Sequence, residues 1–233
     1  FYKNENATAK NWLVYPLANP VVTSSSYAKK IKKKHLTYQS YHEYAYLHPK
    51  SFTPNEKTLV AHGIDPKEKF ILVRFVSWQA SHDVGEKGLH DKIALVRELE
   101  QFAKVYITSE SNVPEELKKN ILLLHHKKDI FDIMGHAALI FGEGATMASE
   151  AAMLGVPAVY VNSLQLGYLQ EQERDYQLVY NFTNQEQGLQ KAKELLQQKN
   201  LQKLHQQRVE KLRQEKIDVT QWMVEYVENF PIS

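Results

Sequence analysis

The chain has 233 residues, 43% of them hydrophobic and 24% charged, with a formal net charge of +2. Such a composition can bury a substantial core and excludes a disordered tail. The small net charge argues against nucleic acid as the main partner, because that binding rests on many neutralised phosphates. The absence of cysteine excludes disulfide scaffolds and thiolate metal sites, and a cytoplasmic location is expected. No apolar run approaches the roughly 20 residues that cross a bilayer, so no integral membrane segment is expected. The chain begins at Phe1 without a methionine, in what reads as mid-element, as expected of a fragment whose upstream part is missing.

Taken in order, residues 1–45 hold too few elements to make a domain. Residues 20–23 read as a short strand, and Ser24, Ser25 and Ser26 as the cap of a helix over residues 27–34. Lys29, Lys30, Lys32, Lys33 and Lys34 then form the solvated face of that helix. An aromatic-rich stretch, 38–46, follows; His48-Pro49 and the polar residues 51–56 read as a linker.

From residue 70 the pattern is regular. Residues 70–76 form a continuous apolar run, as in a strand buried on both faces of a parallel sheet. Residues 89–102 carry a helical stripe at Ile93, Leu95, Val96, Leu99 and Phe102. Strands are predicted at 105–107 and 121–124, with a short helix opening at Pro114, Glu115 and Glu116 between them. A short helix at 130–137 and a fourth strand at 137–141 come next. A helix at 145–154, stopping at Gly155, and strands at 158–161 and 178–180 complete the alternation. Strand alternating with helix implies an α/β fold with a doubly wound, Rossmann-like parallel sheet. Amphipathic helices follow at 189–199 and 201–216. Asp218 caps a last helix, with Gln221 placed as in a capping box. Met223, Tyr226, Val227 and Phe230 give that helix one apolar face, which is expected to pack.

The stretch Phe141-Gly142-Glu143-Gly144-Ala145-Thr146 carries the chemistry. It is a glycine turn between a strand and a helix, so the amides of Gly144, Ala145 and Thr146 lie at a helix N-terminus. Such amides, with the helix dipole behind them, suit a phosphate. Glu150 lies about one and a half turns further on, within reach of ribose hydroxyls beyond the phosphates. In the commonest doubly wound order, 3-2-1-4-5-6, the first and fourth strands are neighbours, and ligands bind between their carboxyl ends. The loop after the first strand, residues 77–85, therefore faces the glycine turn. It holds Ser77, Ser81, His82 and Asp83, and His82 beside Asp83 has the chemistry of a general acid or a phosphate ligand. His125 and His126 are consecutive and point apart on an extended segment. No metal-ligand spacing, Walker A lysine motif or nucleophile elbow occurs, so no metal or further cofactor is expected.

The run from Gly142 to Ala152, with Leu154-Gly155-Val156-Pro157-Ala158 after it, resembles the donor-binding half of GT-B nucleotide-sugar enzymes. UDP-N-acetylglucosamine 2-epimerases and MurG-type glycosyltransferases are the relatives meant. The likeness is greatest to an uncharacterised prokaryotic family of this architecture, through Ala45-Tyr46-Leu47-His48-Pro49, Val73-Arg74-Phe75-Val76-Ser77-Trp78 and Ala80-Ser81-His82-Asp83-Val84-Gly85. The resemblance implies a nucleotide sugar, here a UDP-sugar, as substrate. Gly142, Gly144, Ala145, Thr146 and Ser77 would hold its diphosphate and Glu150 its ribose. His126, Ile130 and Phe131 would hold the base, and Tyr168 and Glu171, in the segment with Gln165 and Gly167, the sugar. His82 and Asp83 would be catalytic.

The resemblance also implies three parts: residues 1–45 as the tail of an N-terminal acceptor domain, 46–217 as the nucleotide-sugar domain, and 218–233 as a helix crossing back. Two departures stand out. Glu143 replaces the serine usual in this turn, and the His-Arg-Glu-Asn-like loop of the epimerases is absent. The reading is a glycosyltransferase acting on a glycan or lipid-linked acceptor. A 2-epimerase-like isomerase and a non-catalytic nucleotide-binding module are the alternatives.

Overall fold

The computed structural model describes Leu17, Ala18 and residues 20–29, 31, 34–76 and 89–230. Its centre is a five-stranded parallel sheet of β3 (Phe70–Phe75), β4 (Lys104–Ser109), β5 (Leu139–Gly142), β6 (Ala158–Val161) and β7 (Val179–Phe182). The order is β4-β3-β5-β6-β7. Strand residues alternate between two apolar layers, as the period of two requires. Phe70, Leu72, Ile140 and Tyr160 enter one layer; Ile71, Val73, Phe75, Phe141 and Val159 enter the other.

The first layer lies under six helices: α1 (Tyr44–Leu47), α2 (Glu56–Ala61), α4 (Asp129–His136), α5 (Ala145–Leu154), α6 (Gly167–Arg174) and α8 (Leu201–Glu215). The second lies under α3 (Lys92–Glu100), a 3₁₀ turn at Glu115–Asn120 and α7 (Gln185–Gln197). Both faces are covered, so the strands can be apolar throughout. The doubly wound α/β sheet is the architecture expected from the alternating pattern.

Three expectations need correction. Residues 121–124 form no strand. Ile121 makes one isolated parallel bridge to Ile107, and Leu122 donates its N–H to the Ile107 carbonyl at 2.8 Å. Leu123 is 77% exposed, which no strand buried on both faces would allow. The position next to β4 is thus occupied by a single bridge.

The helix expected over residues 27–34 is absent among the described residues there. Instead β1 (Val21–Ser24) and β2 (His35–Tyr38) pair in parallel. The serines bond locally: Ser24 Oγ accepts from Ser26 N–H at 3.2 Å and donates to the Ser40 carbonyl at 2.6 Å. Hydroxyls that engage nearby backbone in this way compete with helix formation. Residues 51–56 run straight into α2, which Asn55 caps by accepting from Lys57 N–H.

The final helix, α9 (Val219–Glu228), begins at Asp218, whose carboxylate accepts from Gln221 N–H at 3.1 Å. It packs on residues 38–48. Trp222 lies against Tyr38 with ring centroids 5.5 Å apart, and Thr220 Oγ1 donates to the Ala45 carbonyl at 2.6 Å. Its apolar face is only partly covered, since Val227 is 63% exposed. No helix among the described residues is long and apolar enough to cross a membrane.

On α8, His205 is fully buried against Tyr180 of β7. Arg208 Nη1 lies 3.2 Å from His205 Nε2 and donates to the Tyr180 hydroxyl at 2.9 Å. A guanidinium only donates, so Nε2 accepts and the neutral ring carries its proton on Nδ1. Burial first, then Arg208, pushes its pKa down from 6.5 to about 3. The unfolded chain therefore binds a proton below 6.5 that the folded chain refuses until about 3. The stability this group contributes is complete above the upper value and is lost as pH falls through that window. Denaturation midpoints should drop across the window, the His205 part reaching up to a few kcal/mol. The slope should be shallower in His205→Phe; equal slopes in the two proteins would contradict the assignment.

Candidate nucleotide-binding site

The crevice between β3 and β5 is built on a close approach of backbones. A Cβ placed on Gly142 would lie 2.6 Å from the Arg74 carbonyl oxygen, so a side chain there would force the two strands apart. Glu143 follows and is 2% exposed. Its Oε2 accepts from Val76 N–H at 3.2 Å and its Oε1 from Leu89 N–H at 2.8 Å. Its carbonyl accepts from Asn162 Nδ2, just after β6, at 3.1 Å. The turn is thereby tied to β3, to β6 and to both flanks of residues 77–88. Ser77, His82 and Asp83 belong to that segment and lie outside the described residues.

Gly144 is the N-cap of α5, in extended backbone and with no side chain to cap the helix. The amides of the first turn, at Ala145 and Thr146, begin a ten-residue helix that ends at Gly155 in the left-handed conformation (φ 75°). Gly142, Gly144, Ala145 and Thr146 thus stand together at the carboxyl end of β5, where sheet order places the switch point. The Glu143 carboxylate is turned toward two amides, those of Val76 and Leu89. That geometry relieves the repulsion a carboxylate in this turn would otherwise offer an anion.

Further along α5, Glu150 Oε1 accepts a hydrogen bond from the Tyr46 hydroxyl at 2.7 Å. Burial first, then Glu150, holds the Tyr46 phenol well above its ordinary pKa, so it remains a donor. The Tyr46 ring packs against Phe131 at 5.5 Å between centroids, and Phe131 also meets Phe52 at 6.1 Å. Glu150 and Phe131, expected at ribose and base, share Tyr46 as a neighbour. Ile130 is half-buried against the core, and His126 is exposed, with its N–H donating to Asp129 Oδ2 at 3.1 Å.

The two residues assigned to the sugar sit on α6. Tyr168 is half-buried against the core. The Glu171 carboxylate accepts from Tyr41 at 2.7 Å and from Lys216 at 2.6 Å, an arrangement that ties α6 to the end of α8 and to residue 41. These bonds give Glu171 a packing role in the described chain.

Beside the turn, on the same face of the sheet, lies a cavity of about 730 Å³ lined by Arg74, Thr108, Ser109, Lys118 and residues 121–124. This is within the range of small-molecule pockets. Arg74, in its lining, pairs with Glu110. Thr108 is the register partner of Arg74, is 6% exposed, and its hydroxyl has no partner among the described residues. Tyr46, Arg74 and Thr108 were not singled out as site residues from sequence. Arg74 carries a usable signal, since it is the one charge inside the run Phe-Ile-Leu-Val-Arg-Phe. Among the described residues no group of three or more His, Cys, Asp or Glu could hold a metal ion.

A family model described as a protein of unknown function, DUF354, matches residues 1–230. The chain belongs to the DUF354 family. No curated protein matches this DUF354 chain. Among solved structures it is similar to a protein provisionally named a UDP-N-acetylglucosamine 2-epimerase from Listeria monocytogenes. There the identity is 11% and the TM-score 0.55, covering 97% of this chain and 58% of the other. It is also similar to S. aureus MnaA, solved with UDP, at 14% identity and a TM-score of 0.54, covering 86% and 54%. A Streptomyces glycosyltransferase, SsfS6, aligns at 12% identity and a TM-score of 0.48, over 78% and 49%. The DUF354 chain spans little more than half the length of the first two. At these identities the likeness shows the fold.

Removing the Glu143 carboxylate leaves two amides without their acceptor, each bond to a charged group being worth about 1.5–3 kcal/mol. Glu143→Ala should lower unfolding free energy by about 3–6 kcal/mol and speed hydrogen exchange at Val76 and Leu89. Unchanged exchange at both amides would show that the carboxylate does not hold them.

Proposed function

We propose that this chain carries the donor-binding site of a nucleotide-sugar-dependent glycosyltransferase, with a UDP-sugar as donor. The observation that carries the reading is convergence. Residues from three separate stretches, Tyr46, Phe131 and Glu150, meet along the helix whose N-terminus lies at the switch point.

In this reading the amides of Gly144, Ala145 and Thr146 receive the diphosphate and stabilise the charge that develops as it departs. Glu150 accepts from ribose hydroxyls, with its orientation fixed by Tyr46. Phe131, packed with Tyr46 and Phe52, offers an apolar surface for the base. His82, with Asp83, assists the leaving group, and Ser77 adds a phosphate contact; these three roles rest on sequence. The acceptor is a glycan or a lipid-linked saccharide, and its binding groups lie outside the residues assigned here.

A second reading, a UDP-sugar 2-epimerase-like isomerase, is favoured by the two structural neighbours with TM-scores of 0.55 and 0.54. A nucleotide-binding module without turnover is the third. Incubation with a UDP-sugar separates them. Isomerised sugar marks the epimerase, UDP release that requires an acceptor marks the transferase, and binding without either marks the module.

The site is tested by titration with UDP. Glu150→Ala should weaken UDP binding by about tenfold or more, the loss of a hydrogen bond to a charged group. Tyr46→Phe should weaken it less, because it removes only the bond that orients the carboxylate. Undiminished affinity in Glu150→Ala would remove that residue from the site.

A further inference from the structure

We infer that Arg74 is the cationic group that clamps the diphosphate, and that Glu110 is the resting partner it leaves when the nucleotide binds. The inference rests on the nucleotide reading above and adds to it an assignment of charge.

The electrostatics of the turn call for such a group. The end of a helix dipole offers about half an elementary charge, less than a diphosphate carries. Glu143, one residue before the N-cap, adds a buried negative charge at the same turn. Its carboxylate points to Val76 and Leu89, which limits repulsion without supplying any attraction.

Arg74 is placed to supply it. It lies near the carboxyl end of β3, in register with Gly142 of β5. Its Cγ is 3.4 Å from the position a Cβ would take on Gly144, so the side chain passes directly beside the N-cap of α5. From there the remaining side-chain bonds can swing the guanidinium toward the first-turn amides. A planar guanidinium binds phosphate through two parallel hydrogen bonds.

The present partner is suited to release. The Glu110 side chain is 50% exposed and that of Arg74 is 24% exposed. Ion pairs this open to water are weak, whereas a bidentate bond to phosphate at a helix N-terminus is stronger. Exchange therefore favours the nucleotide. A cavity on this side of Arg74 leaves room for a ligand, and its lining includes Arg74 and Thr108, the residue paired with Arg74 across β3 and β4.

The test is calorimetric titration of the 233-residue chain with uridine, UMP and UDP. Arg74→Met should weaken UDP binding by about tenfold or more and leave uridine within about twofold, since the guanidinium acts on phosphate. Arg74→Lys should recover part of the loss, because a point charge replaces a bidentate fork. Glu110→Gln, at an exposed position that leaves folding intact, should tighten UDP about two- to fivefold by freeing the guanidinium. UDP binding unchanged in Arg74→Met, or weakened equally with uridine, would overturn the clamp while sparing the nucleotide site. A parent chain that binds none of the three ligands would overturn the nucleotide reading and the clamp with it.

Discussion

A single buried carboxylate holds the crevice of this protein together. Glu143 stands where the chain leaves β5, and its two oxygens accept the amides of Val76 and Leu89. Those two residues flank residues 77–88, one at the end of β3 and the other just before α3, so one side chain ties these two elements together. Its backbone is tied in turn to Arg74 and Asn162. A carboxylate accepts two amides at once because both of its oxygens bear the charge.

Around that tie, the site is assembled from parts with different origins. The anion-favouring end is a property of backbone: a glycine N-cap and the first amides of α5. The middle is side-chain chemistry, with Tyr46 holding Glu150. The far end is aromatic packing, with Phe131 between Tyr46 and Phe52. In the proposed reading, the order from the N-terminus of α5 through Glu150 to Phe131 follows that from phosphate to base along a nucleotide. Arg74 and the cavity beside it extend the polar end toward β4.

Other polar clusters secure the fold around α5. Glu171 sits in a closed set of bonds with Tyr41 and Lys216, with the Lys216 ammonium over the Tyr41 ring at 4.8 Å. Gln172 Nε2 donates to Ser149 Oγ at 2.7 Å where α6 meets α5. These hydrogen bonds join the groups to other elements. They explain why α6, α8 and the N-terminal residues form one body around α5.

The sequence by itself determined the alternation of strands and helices, the stop at Gly155, the Asp218 cap and the position of the glycine turn. These are local matters, set by the period of apolar residues and by which residues tolerate caps and tight turns. It misread residues 27–34 and 121–124, where local hydroxyl bonding and the exposure of Leu123 outweighed the pattern. Tertiary packing alone brings Tyr46 to Glu150 over 104 positions of sequence, turns Glu143 toward Val76 and Leu89, and pairs Arg74 with Glu110. Each of those depends on where a side chain points once distant elements have packed. No period or propensity encodes that direction, because it is fixed by the neighbours that folding brings together.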